Sequence, residues 1–271
     1  MELKNKVFVV TGGGNGMGRE VALQLLARGA RVAAVDLNRE GLEETARLAG
    51  SGASISVHTA DVTSLDAVAE LPSAVIAEHG EVDALVNIAG IIHRFVPFLE
   101  LTPEEAHRVL NVNFWGTVNT SRAFLPHLME RPSAALVNMS SLAALVPFAG
   151  QTFYGASKGA VKQFSEGLYA ELQDTNVAVS TIFPGNISTN LTGNSGVAMI
   201  DAGDRKVRAT TPTDAGQQIV DGIEKGSFRI LVGGDARMLS RLARIAAGAT
   251  TRFVANQMKS VMSFGPKKAD A

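Results

Sequence analysis

Cysteine is absent from the 271 residues, which removes disulfides, thiolate nucleophiles and cysteine-ligated metals together. The five histidines (58, 79, 93, 107 and 127) have no HExxH or other close ligand spacing, so no metal site is predicted. Aromatic residues are scarce, 6% of a chain that is 46% hydrophobic, which leaves the aliphatic core that parallel sheets bury on both faces. No apolar run reaches the ~18 residues of a membrane span. The opening Met-Glu-Leu-Lys-Asn-Lys lacks an apolar signal-peptide core, so a soluble cytoplasmic protein is expected. Linkers rich in Pro, Gly or Ser, fixed-period repeats and low-complexity tracts are also missing. One domain over residues 1–234 with a tail at 235–271 follows.

The net charge of −1 hides an asymmetry, because from Arg237 onward seven basic residues face one acid, Asp270. The body is therefore acidic, which argues against a nucleic-acid partner. In the tail Met238, Leu239, Leu242 and Ile245 form an apolar stripe with Arg237, Arg241 and Arg244 largely off it. Such a helix can pack on its own or a neighbouring subunit, cover an apolar substrate, or rest on an anionic membrane surface.

What is present begins with an apolar run, Val7 to Val10, that ends in Thr11-Gly-Gly-Gly-Asn-Gly-Met-Gly18 and leads into helical spacing at Val21, Leu25 and Leu26. Strand, glycine turn and helix in that order let backbone approach a ligand and aim free N–H groups at a pyrophosphate. A second strand, Arg31 to Asp36, places an acid 18 residues beyond Gly18. That is near the ~20 at which a carboxylate meets the ribose hydroxyls of NAD. Strands and helices go on alternating at Ser54–Thr59, Ser64–His79, Val82–Asn87, a long helix from Pro103 to Leu128 capped by Thr102, Ala134–Ser141, Val177–Phe183, Asp214–Lys225 and Phe228–Val232. The pattern predicts an α/β fold: a Rossmann-like, doubly wound parallel sheet of about seven strands with helices on both faces.

Chemistry concentrates in Thr152 to Val161, where Tyr154 and Lys158 stand four residues apart on one helix face. A lysine ammonium beside a phenol favours the phenolate and brings it within reach of acid–base work. Ser140 and Ser141 end the fifth strand, where the ligand crevice of such a sheet opens. The long helix offers two asparagines, Asn111 and Asn113, in a place where asparagine is a poor helix former.

The loop Gly12-x-x-x-Gly16-x-Gly18 departs from GxGxxG and resembles the TGxxxGxG loop of the classical short-chain dehydrogenases/reductases. That resemblance implies that Asn15, Gly16, Met17 and Gly18 wrap the adenosine phosphates. It also implies that Asp61 and Val62 meet the adenine, and that Asn87-Ile-Ala-Gly90 matches the family's Asn-Asn-Ala-Gly loop with Ile88 in second place. Pro184, Gly185, Ile187 and Thr189 match its PGxxxT segment, whose backbone and Thr hold the nicotinamide carboxamide. Among the catalytic groups it implies Asn113 as the holder of a relay water, Ser141 rather than Ser140 as the orienter of the substrate oxygen, Tyr154 as the proton carrier, and Lys158 as its partner and ribose ligand. Asn15 and Leu37 are uncharged where the family often carries a cation for a 2′-phosphate, so NAD is expected over NADP, with Arg39 as the one nearby cation.

These readings lead to an NAD-dependent alcohol dehydrogenase or ketone reductase, a homodimer or homotetramer by resemblance, with a small-molecule substrate. Pocket-border positions such as His93, Phe95, Leu142, Val146 and Phe148 suggest an apolar one, and the Gly- and Ser-rich stretch from Asn190 to Thr211 reads as a lid. The alternatives are a sugar-nucleotide epimerase or dehydratase and a non-catalytic NAD-binding regulator.

Overall fold

The sheet is built from Val7–Thr11 (β1), Arg31–Asp36 (β2), Ile55–Thr59 (β3), Ala84–Asn87 (β4), Ala134–Met139 (β5), Val177–Pro184 (β6) and Arg229–Val232 (β7). The computed structural model describes residues 1–188, 195 and 209–259. All seven strands are parallel, in the order β3-β2-β1-β4-β5-β6-β7. Strand order reverses between β1 and β4, so the chain leaves their carboxyl ends toward opposite edges of the sheet and opens the crevice in which such sheets bind ligands.

Helices Gly16–Ala27 (α1), Arg39–Ala49 (α2), Leu65–His79 (α3), Pro103–Leu110 (α4), Gly116–Met129 (α5), Thr152–Glu171 (α6) and Pro212–Glu224 (α7) cover both faces. Alternation along β1 splits the core: Phe8 and Val10 join the cluster with Val21, Leu25, Ile219 and Ile223, whereas Val7 and Val9 join Val75, Phe124 and Leu128. Each such fully buried Leu, Ile or Phe contributes about 2 kcal/mol of transfer free energy. Side-chain caps fix the starts of several helices: Ser64 on Ala67 N–H, Thr211 on Asp214 N–H, and a reciprocal capping box between Thr102 and Glu105.

The predicted helix from Pro103 to Leu128 is not continuous. It is interrupted by one π-helical stretch, Asn111–Trp115, in which the Gly116 N–H reaches back five residues to Asn111 O. Gly116 suits the turn for a second reason, because a β-carbon there would come 2.7 Å from Val62 Cγ2.

At the amino ends of the strands, far from the crevice, the fully buried Asp83 carboxylate accepts from Val7 N–H (3.0 Å), Lys6 Nζ (3.1 Å) and Arg131 Nε (3.0 Å). The tail is two helices, Gly234–Ile245 (α8) and Ala247–Lys259 (α9), broken at Ala246. The apolar stripe is only partly used: Leu239 is buried, but Met238, Leu242 and Ile245 are exposed. Leu239 and Val254 pack on Leu142 and Val146, just past Ser141, so these helices lie against the body next to the crevice. Among the described residues no helix is long and apolar enough to cross a membrane.

Candidate active site

The glycine loop after β1 is held by close approaches that admit no side chain. A β-carbon on Gly18 would lie 2.0 Å from Gly12 O, and one on Gly12, at φ +72°, would lie 2.9 Å from Ala89 N. Arg19 and Thr45 fasten the same loop: the Arg19 guanidinium donates to Gly14 O and to Gly41 O (3.1 Å), and Thr45 Oγ1 donates to Gly13 O (2.8 Å). Neither residue carried a signal in the sequence, since their partners are backbone carbonyls 32 and fewer residues away in another element.

Beyond the loop lies a cleft of about 600 Å³ that contains Gly12, Asn15, Gly16, Met17, Gly18, Asp36, Leu37, Asp61, Val62, Ala89 and Gly90, eleven of the predicted cofactor residues. The glycine cradle, the exposed α1 N-terminus and a carboxylate at the tip of β2 fit a dinucleotide. Asp36 accepts from Gly14 N–H and from Asn38 N–H, both at 3.0 Å, which fixes its carboxylate at the cleft wall. Leu37 is exposed, and the Arg39 guanidinium is paired with Glu43 along α2 (2.8 Å).

Asn87 takes a different place from the one predicted. It is buried, donating to Asn138 Oδ1 (2.9 Å) and Ser121 Oγ (3.3 Å) and accepting from Thr120 Oγ1 (2.8 Å), a polar network that ties β4 to β5 and α5. Its side chain is spent on the scaffold beneath the cleft. Pro184 ends β6, and Gly185 and Ile187 lie beyond it, where Ile187 bridges to Thr210. Asp235, at the start of α8, accepts from Asn186 N–H (2.7 Å) and packs so close that a β-carbon on Gly185 would meet it at 2.2 Å. Thr189 and nearly all of the Asn190–Thr211 segment predicted as a lid lie outside the described residues.

The four predicted catalytic residues converge. Ser141, two residues past β5, lies near enough to Tyr154 to draw its phenol down, and it accepts from Ala143 N–H (3.1 Å). Ser140 instead donates to Lys158 O (2.7 Å) and faces away from the chemistry. Lys158 is buried, its Nζ donating to Met139 O (2.9 Å). Asn113, in the π-helical stretch, clamps the loop after β4: Oδ1 accepts from Ile91 N–H (2.8 Å) and Nδ2 donates to Ile91 O (2.9 Å) and Ser157 Oγ (2.9 Å). Ser157 passes this on to Tyr154 O (2.8 Å), a link the sequence gave no reason to suspect. With its side chain fully engaged, Asn113 holds the site together, and its carbonyl already accepts from Thr117 Oγ1 (2.9 Å).

The electrostatics of the site run opposite to the predicted pairing. Burial pushes the Tyr154 phenol up, and the Ser141 hydrogen bond only partly offsets it. Burial also pushes the Lys158 ammonium down to about 8, with no carboxylate to compensate. The Lys158 Nζ donates to Met139 O.

A parallel doubly wound sheet with a glycine cradle, an acid at the tip of β2 and a Ser-Tyr-Lys cluster at the strand ends defines a Rossmann-type oxidoreductase. Residues 6–199 match the short chain dehydrogenase family model, and the chain belongs to that family. It is 36% identical over 263 residues to SadH of Mycobacterium tuberculosis, covering 93% of this chain and 95% of that one. It is 35% identical over 218 residues to the 1-deoxy-11-beta-hydroxypentalenate dehydrogenase of Streptomyces avermitilis, covering 75% of this chain and 80% of the relative. A short chain dehydrogenase from Burkholderia cenocepacia, solved with NADP, superposes with a TM-score of 0.80 at 27% identity, covering 94% and 99% of the two chains.

Proposed function

We propose that this protein interconverts a secondary alcohol and a ketone, with NAD as the hydride carrier and a largely apolar substrate. The observation that carries the reading is the convergence of Ser141, Tyr154 and the buried Lys158, whose Nζ lies against Gly90 of the glycine-lined cleft. When bound, the nicotinamide supplies the hydride acceptor or donor. Tyr154 carries the proton of the substrate hydroxyl, taking it in oxidation and returning it in reduction. Ser141 holds the substrate oxygen, sharing the charge that develops on it. Lys158 supplies positive charge behind the phenol, and Asn113 fixes the loop against which the reacting groups are set.

The preference for NAD rests on charge. Asp36 would oppose a 2′-phosphate with its carboxylate, Arg39 is engaged with Glu43, and the Arg19 guanidinium is spent on the carbonyls of Gly14 and Gly41. An apolar substrate is supported by Leu142, Val146, Leu145 and Phe148, which pack under α8 and α9 past Ser141. Dehydrogenase relatives support the reaction class. We further propose assembly as a homodimer or homotetramer, for which size-exclusion with light scattering is the check. A panel of secondary alcohols assayed by formation of reduced nicotinamide, with NAD+ and then NADP+, tests the reading. Faster turnover with NADP+ would overturn the argument from Asp36.

A further inference from the structure

Two buried polar atoms next to the reacting groups have no partner among the described residues: His93 Nε2 and Gln151 Oε1. His93 and Gln151 are 4% and 3% exposed, so bulk water does not serve them. The two residues are joined, since Gln151 Nε2 donates to the His93 backbone carbonyl (2.7 Å). A backbone carbonyl only accepts, so this bond fixes the amide with its nitrogen toward His93 O and its oxygen free.

The same reasoning fixes the imidazole. His93 Nδ1 lies 2.7 Å from Arg94 O, another obligate acceptor, so Nδ1 carries the proton. Burial holds the ring below the usual histidine range, which keeps it neutral at pH 7 and leaves Nε2 a bare lone pair. Both open atoms are therefore acceptors, and neither can satisfy the other. A buried acceptor left unmet is costly, so two together call for a donor that the described residues do not supply.

Their place in the fold says which molecule brings it. Gln151 immediately precedes α6, three residues before Tyr154, and Gly155 N–H donates to its carbonyl (2.9 Å). His93 lies two residues after Ile91, which Asn113 clamps on both its N–H and its carbonyl. The pair thus sits where the loop after β4 meets the first turn of the tyrosine helix. We propose that His93 and Gln151 form a second recognition point for the substrate, one that accepts hydrogen bonds from a hydroxyl or N–H group on the molecule whose carbinol or carbonyl reaches Tyr154. The preferred substrate is then bifunctional: an apolar skeleton bearing the reacting oxygen and a second donor group. This rests on the alcohol–ketone reading above.

The test compares cyclohexanol with cyclohexane-1,2-, 1,3- and 1,4-diol as substrates of the full-length enzyme, in wild type, His93→Phe and Gln151→Met. Wild type is expected to favour at least one diol by tenfold or more in kcat/KM, and each substitution to cut that diol-to-monoalcohol ratio about tenfold. Two variants are used so that if one fails to fold, the other still decides. Equal kcat/KM for cyclohexanol and every diol in wild type, or a diol preference that both variants retain, would overturn the proposal while leaving alcohol oxidation intact. No turnover of any of the four compounds with NAD+ or NADP+ would instead overturn the functional reading and this inference with it.

Discussion

Gly90 and Lys158 stand so close that a β-carbon on the glycine would lie 3.1 Å from the lysine Nζ and 3.0 Å from Asn113 Oδ1. The loop after β4 thus passes between the lysine and the asparagine, and a methyl group would fit only by pushing one of the two side-chain ends back a few tenths of an ångström. Gly90→Ala is expected to lower kcat at least tenfold, equivalent to about 1.4 kcal/mol in the barrier, by displacing one of the two side chains. Circular dichroism should show the fold unchanged. Undiminished kcat would mean that the contact has no catalytic weight.

Burying an ammonium costs stability in return for function. The folded Lys158 value of about 8 lies below the free value of 10.5, so the cost is present in full below pH 8 and disappears as pH rises toward 10.5. At pH 7 that cost is roughly 3 kcal/mol, against about 1 kcal/mol for the hydrogen bond to Met139 O. Lys158→Met should therefore be about 2 kcal/mol more stable than wild type at pH 7, with the gain lost near pH 10, while turnover disappears. Urea unfolding at the two pH values checks this, and a variant less stable at pH 7 would refute it.

Much of this was legible in the sequence because it depends on local chemistry. The βα alternation, the glycine turn before α1 and the acid ending β2 are written in residue order, and the structure returns strands within one or two residues of those predicted. The π-helical break was not legible, since Asn111-Val-Asn-Phe-Trp has no helix breaker; the turn is set by contacts with Ile91, Ser157 and Val62 from other elements. Asn87 and Asn113 were identified as polar residues in the right segments, but their partners are 22 to 51 residues away. For the same reason Arg19, Thr45 and Asp235 gave no sign of their roles.

Asp235 anchors the turn beyond β6 from the start of α8. Asp235→Ala leaves the Asn186 N–H without its acceptor and opens space beside Gly185, and is expected to raise the KM for NAD+ severalfold and cost about 1 kcal/mol of stability. Initial rates over a cofactor titration measure the first effect and thermal unfolding the second. An unchanged KM would separate this aspartate from cofactor binding.

Asp83 carries no function in this account, and its removal should affect stability alone. Burial pushes its carboxyl up, but the Val7 N–H, Lys6 and Arg131 overcome that and hold it below the usual range. A depressed folded value means that the stabilisation is complete above the unfolded value near ~4 and is lost as pH falls through the folded value. Asp83→Asn should cost about 3 kcal/mol at pH 7, and the difference from wild type should shrink as pH drops below ~4. A pH-independent difference would point to lost packing instead.

The central claim is that the Tyr154 hydroxyl carries the proton of the reaction. The direct measurement is turnover of a secondary alcohol by Tyr154→Phe beside calorimetric titration of the same protein with NAD+. The account predicts cofactor binding within a few-fold of wild type and turnover lost by a factor of about a thousand or more. Turnover at the wild-type rate by a protein lacking that hydroxyl would contradict it.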